Sequence, residues 1–292
     1  MASPLPPYGA LLDAVRGVRW PARHPVAGAL SGVHRSKQRG TSSEFTEFRL
    51  YRQGDDPRRL DWRLLARSDR AYIRLATDRA ILPTTIVLDA SASMAFPVTT
   101  RLKWRRAQEI AVGLAAVAHA QGDPVGIAVP DDSGRLHMLP PRTRRGVVSE
   151  IARVIDAADP DGLDPLAPTL TAIRSARIAI VTDLLGDAEA LLRAARVHIV
   201  AGGEVHVVHI IAREEIELPR RAMLAADPES PQTQRFLVDS TRRGYDAAFS
   251  EWRADVARQW RAAGASYVVV ITDEPSSHAV RRIAESGAGA RA

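Results

Sequence analysis

An aspartate and two serines separated by single residues follow an apolar run near the middle of the chain. Asp89, Ser91 and Ser93 come directly after Thr84–Leu88, which has the composition of a buried strand. One carboxylate and two hydroxyl groups can converge on a hard cation, with the serines as direct ligands and the aspartate binding directly or through water. Because the chain has no cysteine, its possible metal ligands are hard ones. The spacing therefore predicts a site for Mg²⁺ or Mn²⁺.

A second carboxylate has the same relation to a strand. Asp183 ends the segment Ile178–Asp183, just past an apolar run, and ligands of open α/β sheets collect at the carboxyl ends of the strands. We expect Thr169, before that strand, to be the third-loop ligand; Thr171 or a non-ligating Leu163-Asp164 could take its place. The structural alternative is that these Asp and Ser residues only cap the helices that follow, since both are good N-caps.

The elements that must position these residues alternate between short β-branched runs and longer helical stretches. This pattern predicts an α/β fold with a mainly parallel sheet and helices on both faces. The expected strands are Thr84–Leu88, Val125–Val129, Arg177–Thr182, Val205–Ile211 and Ser266–Thr272, and the expected helices are Leu102–Gln121, Arg144–Ala157, Asp187–Ile199 and Thr233–Ala263. A run at Arg135–Leu139 predicts an antiparallel edge strand.

The excess of positive over negative charge is confined to the N-terminal part of the chain. Residues 1–80 carry 15 Lys and Arg against 8 Asp and Glu, whereas residues 81–292 carry 25 against 26. We expect residues 1–80 to form a basic N-terminal elaboration and residues 81–292 the α/β domain. Such a basic segment could face an acidic partner, a nucleic acid or an anionic membrane. Only Lys37 and Lys103 are lysines among 40 basic residues, which suggests a GC-rich coding bias.

The first 20 residues lack the apolar core of a signal peptide, and no apolar run approaches the roughly 18 residues of a membrane span. We therefore expect a cytoplasmic protein.

A second motif lies in the basic segment, between Glu44 and Arg67. Its turn at Gly54–Pro57 predicts that Asp56 or Pro57 opens a short helix at Arg58–Ala66. The residues that we expect to bind a partner are Asp55, Asp56, Arg58, Asp61, Trp62, Arg63 and Arg67. The competing interpretation is a solvated network of ion pairs, which stabilises little.

These motifs resemble two known families. Asp89, Ser91, Ser93 and Asp183 resemble the metal-ion-dependent adhesion site of von Willebrand factor A-like domains, in which an acidic side chain of a partner completes the metal's coordination. The stretch Gly54-Asp-Asp-Pro-Arg-Arg-Leu-Asp-Trp62 resembles the signature of the bacterial family known as domain of unknown function 58. That resemblance implies a von Willebrand factor A-like fold and a non-enzymatic adaptor for a MoxR-type AAA+ ATPase or its client.

Two other classes of function are weaker alternatives. An Mg²⁺-assisted phosphoryl-transfer or hydrolytic enzyme could use Asp89 as a nucleophile, but haloacid-dehalogenase-like enzymes want a second Asp where Ser91 stands, and the common enzyme motifs do not occur. A nucleic-acid-binding protein could use Tyr51, Trp62 and Tyr72 between arginines. The eight acidic residues of the same segment would repel phosphate.

Overall fold

The computed structural model describes residues 8–23, 31–35, 45–53, 55, 57, 60–68, 70–76, 79–130, 136–162, 166–218, 224–226, 234–236 and 239–286. The chain forms two compact units: residues 1–20 with 83–292, and residues 21–82.

In chain order the strands are β1 (Ser31–Arg35), β2 (Phe45–Leu50), β3 (Tyr72–Ala76), β4 (Arg79–Ala80), β5 (Thr84–Leu88), β6 (Val125–Pro130), β7 (Leu136–Arg142), β8 (Arg177–Thr182), β9 (Glu204–Ile211), β10 (Leu224–Ala226), β11 (Gln234–Phe236) and β12 (Ser266–Ile271). The helices are α1 (Gly9–Ala14), α2 (Trp62–Ser68), α3 (Leu102–Ala120), α4 (Val147–Asp156), α5 (Leu166–Ala172), α6 (Ala188–Val200), α7 (Arg213–Ile216), α8 (Asp239–Ala262) and α9 (Ser276–Ser286).

A six-stranded sheet forms the centre of the larger unit, in the order β12-β9-β8-β5-β6-β7. All neighbours run parallel except β7, which pairs antiparallel with β6 at the edge. The predicted α/β architecture, its five parallel strands and its antiparallel edge strand are confirmed. The predicted start of the helix at Thr233 is wrong, because Gln234–Phe236 form β11, which pairs antiparallel with β10, and the helix begins at Asp239.

Helices cover both faces of this sheet, and each face has its own apolar core. One core contains Ile86 and Leu88 of β5 with the Ala-rich inner face of α3 and with α9. The other contains Val87 of β5 with Leu192 of α6 and Trp260 of α8. Successive side chains of a strand point to opposite faces, so a strand covered on both sides is apolar along most of its length. Every residue of β5, β6, β8 and β9 is accordingly buried.

The smaller unit contains two antiparallel strand pairs, β1 with β4 and β2 with β3, together with α2. Its last residue, Leu82, lies close to the predicted boundary after residue 80. None of the helices within the described part of the chain is long and apolar enough to cross a membrane.

The first 20 residues differ from the expected division, since they group with the larger unit rather than with the basic segment. Tyr8, Val15 and Trp20 are buried in the core that contains α3 and α9. The Trp20 and His206 rings pack edge to face with their centroids 5.0 Å apart, and the guanidinium of Arg177 lies 4.3 Å from the centroid of the Trp20 ring. These contacts attach the N-terminal segment to the start of β8 and β9.

Replacing Trp20 by Ala tests this attachment. We expect Trp20→Ala to lower the free energy of unfolding by about 3 to 5 kcal/mol, because it removes a fully buried indole. Trp62→Ala is the matched control, since Trp62 is 66% exposed and a surface substitution changes stability by about 0.5 kcal/mol or less. Urea unfolding followed by circular dichroism measures both. Equal stabilities would contradict the assignment of residues 1–20 to the larger unit.

Candidate functional site

The Asp89 loop lies at the carboxyl edge of the sheet, beside the end of β8. The Asp89 backbone N–H donates to the Val181 carbonyl at 2.9 Å, which extends the β5–β8 pairing by one residue. Ser91 then forms an isolated parallel bridge with Gly162, and Ala92–Ala95 form a short 3₁₀ helix. The structure thus brings Asp89, Ser91 and Ser93 close to Asp183.

Both carboxylate oxygens of Asp89 accept hydrogen bonds from the protein. Oδ1 accepts from the Ser91 backbone N–H at 2.9 Å, and Oδ2 accepts from the Thr182 hydroxyl at 2.6 Å. The hydroxyl groups of Ser91 and Ser93 are 3.1 Å apart and hydrogen bonded to each other. All four side chains are buried, so their polar atoms depend on protein partners.

Asp183 is held in a turn of unusual backbone conformation. Leu184 has φ of +58°, a region that residues other than glycine rarely adopt. Two hydrogen bonds stabilise the turn, from the Leu184 N–H to Thr182 Oγ1 at 3.0 Å and from the Leu185 N–H to Asp183 Oδ1 at 3.2 Å. The turn directs the other oxygen of Asp183 inward.

That oxygen binds a lysine ammonium that the sequence analysis did not place in the site. Lys103, in the first turn of α3, is fully buried. Its Nζ lies 2.6 Å from Asp183 Oδ2 and 2.7 Å from Glu215 Oε1. The Ser93 carbonyl is a third, longer acceptor at 3.4 Å. Glu215 belongs to α7, just past β9, so the ammonium joins the loops after three neighbouring strands.

The charges in this cluster shift one another's protonation. Burial alone would lower the pKa of Lys103, but the charges of Asp183 and Glu215 outweigh it and raise that pKa above its ordinary value. Burial raises the pKa of Glu215, although Lys103 acts in the opposite direction. Lys103 therefore stays protonated at neutral pH.

Thr169, the expected third-loop ligand, lies in α5 rather than in a loop. Its neighbours Leu166 and Leu170 are buried in the core that contains α6 and α8. Thr169 is also buried, and among the described residues it makes no hydrogen bond with the Asp89 loop. Thr171 is exposed and donates to the Pro168 carbonyl, and residues 163–165 lie outside the described part of the chain. Within the described residues, Gly162 is the residue that pairs with the Asp89 loop, through its bridge to Ser91.

These partners bear directly on whether a divalent metal fits. The four carboxylate oxygens of Asp89 and Asp183 all have partners, and the charged partner of Asp183 is an ammonium. In the described part of the chain no group of three or more His, Asp or Glu side chains is placed to hold a metal ion. As arranged, the residues do not suit Mg²⁺ or Mn²⁺. Metal binding stays a prediction that direct measurement must test.

The second predicted site lies in the smaller unit, where its acidic residues build local structure. Asp55 accepts from the Arg52 backbone N–H at 2.8 Å and from Arg49 at 2.7 Å, and these bonds lower its pKa. Asp61 accepts from the N–H groups of Arg63 and Leu64, so it caps α2. The predicted start of this helix at Arg58 is therefore wrong, because the cap is Asp61 and the helix begins at Trp62.

The other residues of that motif are exposed. Trp62, Arg63 and Arg67 point to solvent together with Ala66, and their spacing puts them on one face of α2. Neither arginine forms an ion pair with any residue that the structure describes. Asp56 and Arg58 lie outside the described residues.

A buried histidine beside the site gives a pH test of this region. The ring of His209, on β9, is hydrogen bonded to the Tyr267 hydroxyl. Burial lowers the pKa of His209 to about 4 from its ordinary 6.5. The unfolded chain therefore gains a proton below pH 6.5 that the folded chain gains only near pH 4, so stability falls as the pH falls through this window.

We expect this histidine to contribute about 3 kcal/mol to the loss of stability between pH 7 and pH 4. Urea unfolding of wild type and His209→Gln at both pH values isolates the contribution as the difference between the two losses. An equal loss in both proteins would mean that His209 titrates normally in the folded state.

The sequence of this chain is similar to a protein family and to two mycobacterial proteins. A family model described as "Protein of unknown function DUF58" matches residues 47–255. "Uncharacterized protein Rv1480" from Mycobacterium tuberculosis and "Uncharacterized protein Mb1516" from Mycobacterium bovis are each 30% identical over 275 residues, covering 90% of this chain and 85% of the relative.

Two solved structures are also similar to part of the chain. One is a conserved hypothetical protein, BatB, from Bacteroides thetaiotaomicron, with a TM-score of 0.45. The other is an aerotolerance-related membrane protein from Bacteroides fragilis, with a TM-score of 0.46. Each is 17% identical and covers 71% of this chain and 98% of its own.

Proposed function

The chain belongs to the family described as protein of unknown function DUF58, and we propose that it is a non-enzymatic protein-interaction module of von Willebrand factor A-like fold. Its proposed partner is a MoxR-type AAA+ ATPase, which it serves as an adaptor in the cytoplasm, where ATP is present. The resemblance of its two motifs to these families supports the proposal.

The exposed face of α2, formed by Trp62, Arg63, Ala66 and Arg67, carries the argument. A tryptophan that is 66% exposed leaves a large apolar ring in water, and tryptophan and arginine are the residue types that dominate binding energy at protein interfaces. Asp55 and Asp61 hold the backbone that presents this face. The motif thus divides into residues that build α2 and residues that α2 offers to a partner.

Charge selects the chemistry of that partner. Arg63 and Arg67 lie in the segment that holds all of the chain's net positive charge, and both are exposed. An acidic patch on the ATPase would complement them and speed association. The metal-mediated contact that the family resemblance implies at Asp89 is not needed for this docking.

Binding to the purified MoxR-type ATPase of the same organism, measured by biolayer interferometry, tests the proposal. We expect Trp62→Ala to weaken binding about 30-fold, as for an aromatic interface anchor. Arg67→Glu should slow association and weaken its dependence on salt.

Arg196→Glu is the matched control, because it makes the same charge change at an exposed position of α6 and should leave binding unchanged within about twofold. Equal binding by Trp62→Ala and wild type would refute the role of α2. Failure of wild type to bind the ATPase, with retention on duplex DNA at low salt, would favour the nucleic-acid alternative.

A further inference from the structure

The buried ammonium of Lys103 has the contacts of a bound cation. Its acceptors are Asp183 Oδ2, Glu215 Oε1 and the Ser93 carbonyl, at 2.6, 2.7 and 3.4 Å. An ammonium has three N–H donors, so each has one oxygen to meet. The three oxygens come from the loops after β8, β9 and β5, which is how a cation at this edge of a parallel sheet would be held.

The position of Lys103 in its helix is unfavourable for the helix itself. The lysine stands in the first turn of α3, where the positive end of the helix dipole repels a cation. Burial of a lysine is also costly unless its charge is compensated. Both costs imply that the buried Lys103 ammonium is stabilised by the carboxylates and not by the helix.

The composition of the chain supports a specific need for lysine here. Of 40 basic residues 38 are arginine, and Lys103 is one of the two lysines. An ammonium is a compact point charge, whereas a guanidinium is a planar fork with a fixed geometry. A compact ammonium can approach three separate oxygens without the fixed planar geometry that a guanidinium imposes.

We infer that Lys103 is the resident cation of this site: its ammonium ties together the loops after β5, β8 and β9 at the edge where the D-x-S-x-S pattern would otherwise hold a divalent metal. The edge is therefore assembled without Mg²⁺ or Mn²⁺. Glu215 is a member of the site, as the second carboxylate that the ammonium needs. This inference goes beyond the proposed function and does not depend on it, because the docking face of α2 lies elsewhere in the sequence.

Thermal unfolding of the full chain with and without divalent ions tests the inference. We expect the wild-type Tm to agree within about 1 °C between EDTA and about 5 mM MgCl₂ or MnCl₂, since an ion that binds only the folded state would raise it. A saturable rise in wild type that Asp89→Ala abolishes would overturn the inference. It would leave the interaction proposal standing.

Removing the ammonium tests its role directly. Lys103→Met keeps an unbranched side chain of nearly the same length and should lower the Tm by about 10 °C, because it leaves the buried Asp183 and the largely buried Glu215 without a compensating charge. Arg105→Met is the control, since it removes an exposed cation from the same helix and should change the Tm by about 2 °C or less. A Tm for Lys103→Met equal to that of the control would overturn the inference.

A variant whose cluster carries no charge distinguishes two causes of a lower Tm, the loss of charge compensation and the loss of packing. It can be measured even where Lys103→Met does not fold. The triple variant Lys103→Met, Asp183→Asn, Glu215→Gln removes the ammonium together with both of its carboxylate partners. We expect it to regain at least about half of the lost Tm, because neutral groups of similar shape replace the ion cluster at little cost. A triple variant no more stable than Lys103→Met would contradict the inference.

Discussion

The carboxyl edge of the sheet depends on one electrostatic interaction, the compensation of the buried Lys103 ammonium by the carboxylates of Asp183 and Glu215. Parallel strands end side by side at this edge, so the polar groups that follow them are forced together in a small space. Asp89, Asp183 and Glu215 bring three carboxylates there, and the buried Lys103 ammonium contacts two of them, Asp183 and Glu215. Without it the like charges would repel one another at short range in a medium that screens them poorly.

The hydrogen bonds of the edge continue this arrangement into the backbone. Thr182 donates its hydroxyl proton to Asp89 and accepts the Leu184 N–H, so one side chain connects the first carboxylate to the turn that orients the second. That turn holds Leu184 at a positive φ, a conformation that persists only where surrounding contacts determine it. The polar groups of this edge are accordingly paired within the protein, whereas Trp62 on α2 is 66% exposed and better suited to meet a partner.

The fold could be predicted from the sequence to a large extent, because strands buried on both faces are mostly apolar and the helices between them are amphipathic. The bounds of β5 and β8 agree with expectation at both ends. Thr169 shows the limit of this reasoning, since a spacing rule cannot tell a loop from the short helix α5. Asp61 shows another, because several Asp residues in one motif could cap α2 and only the backbone decides which one does.

The site could be predicted only in part, because the D-x-S-x-S pattern identifies the carboxylate and hydroxyl groups but not the Lys103 ammonium that neutralises Asp183. The composition could have pointed to Lys103. Nearly all basic residues of the chain are arginines, and a coding bias of that kind does not explain a lysine on the buried side of α3. The amino edge of the same sheet gives the comparison. There Arg177 is equally buried, but its planar guanidinium lies over Trp20 and reaches Glu204 at 3.3 Å, a stacking role that an ammonium cannot fill. Each edge thus has the cation whose shape its partners require.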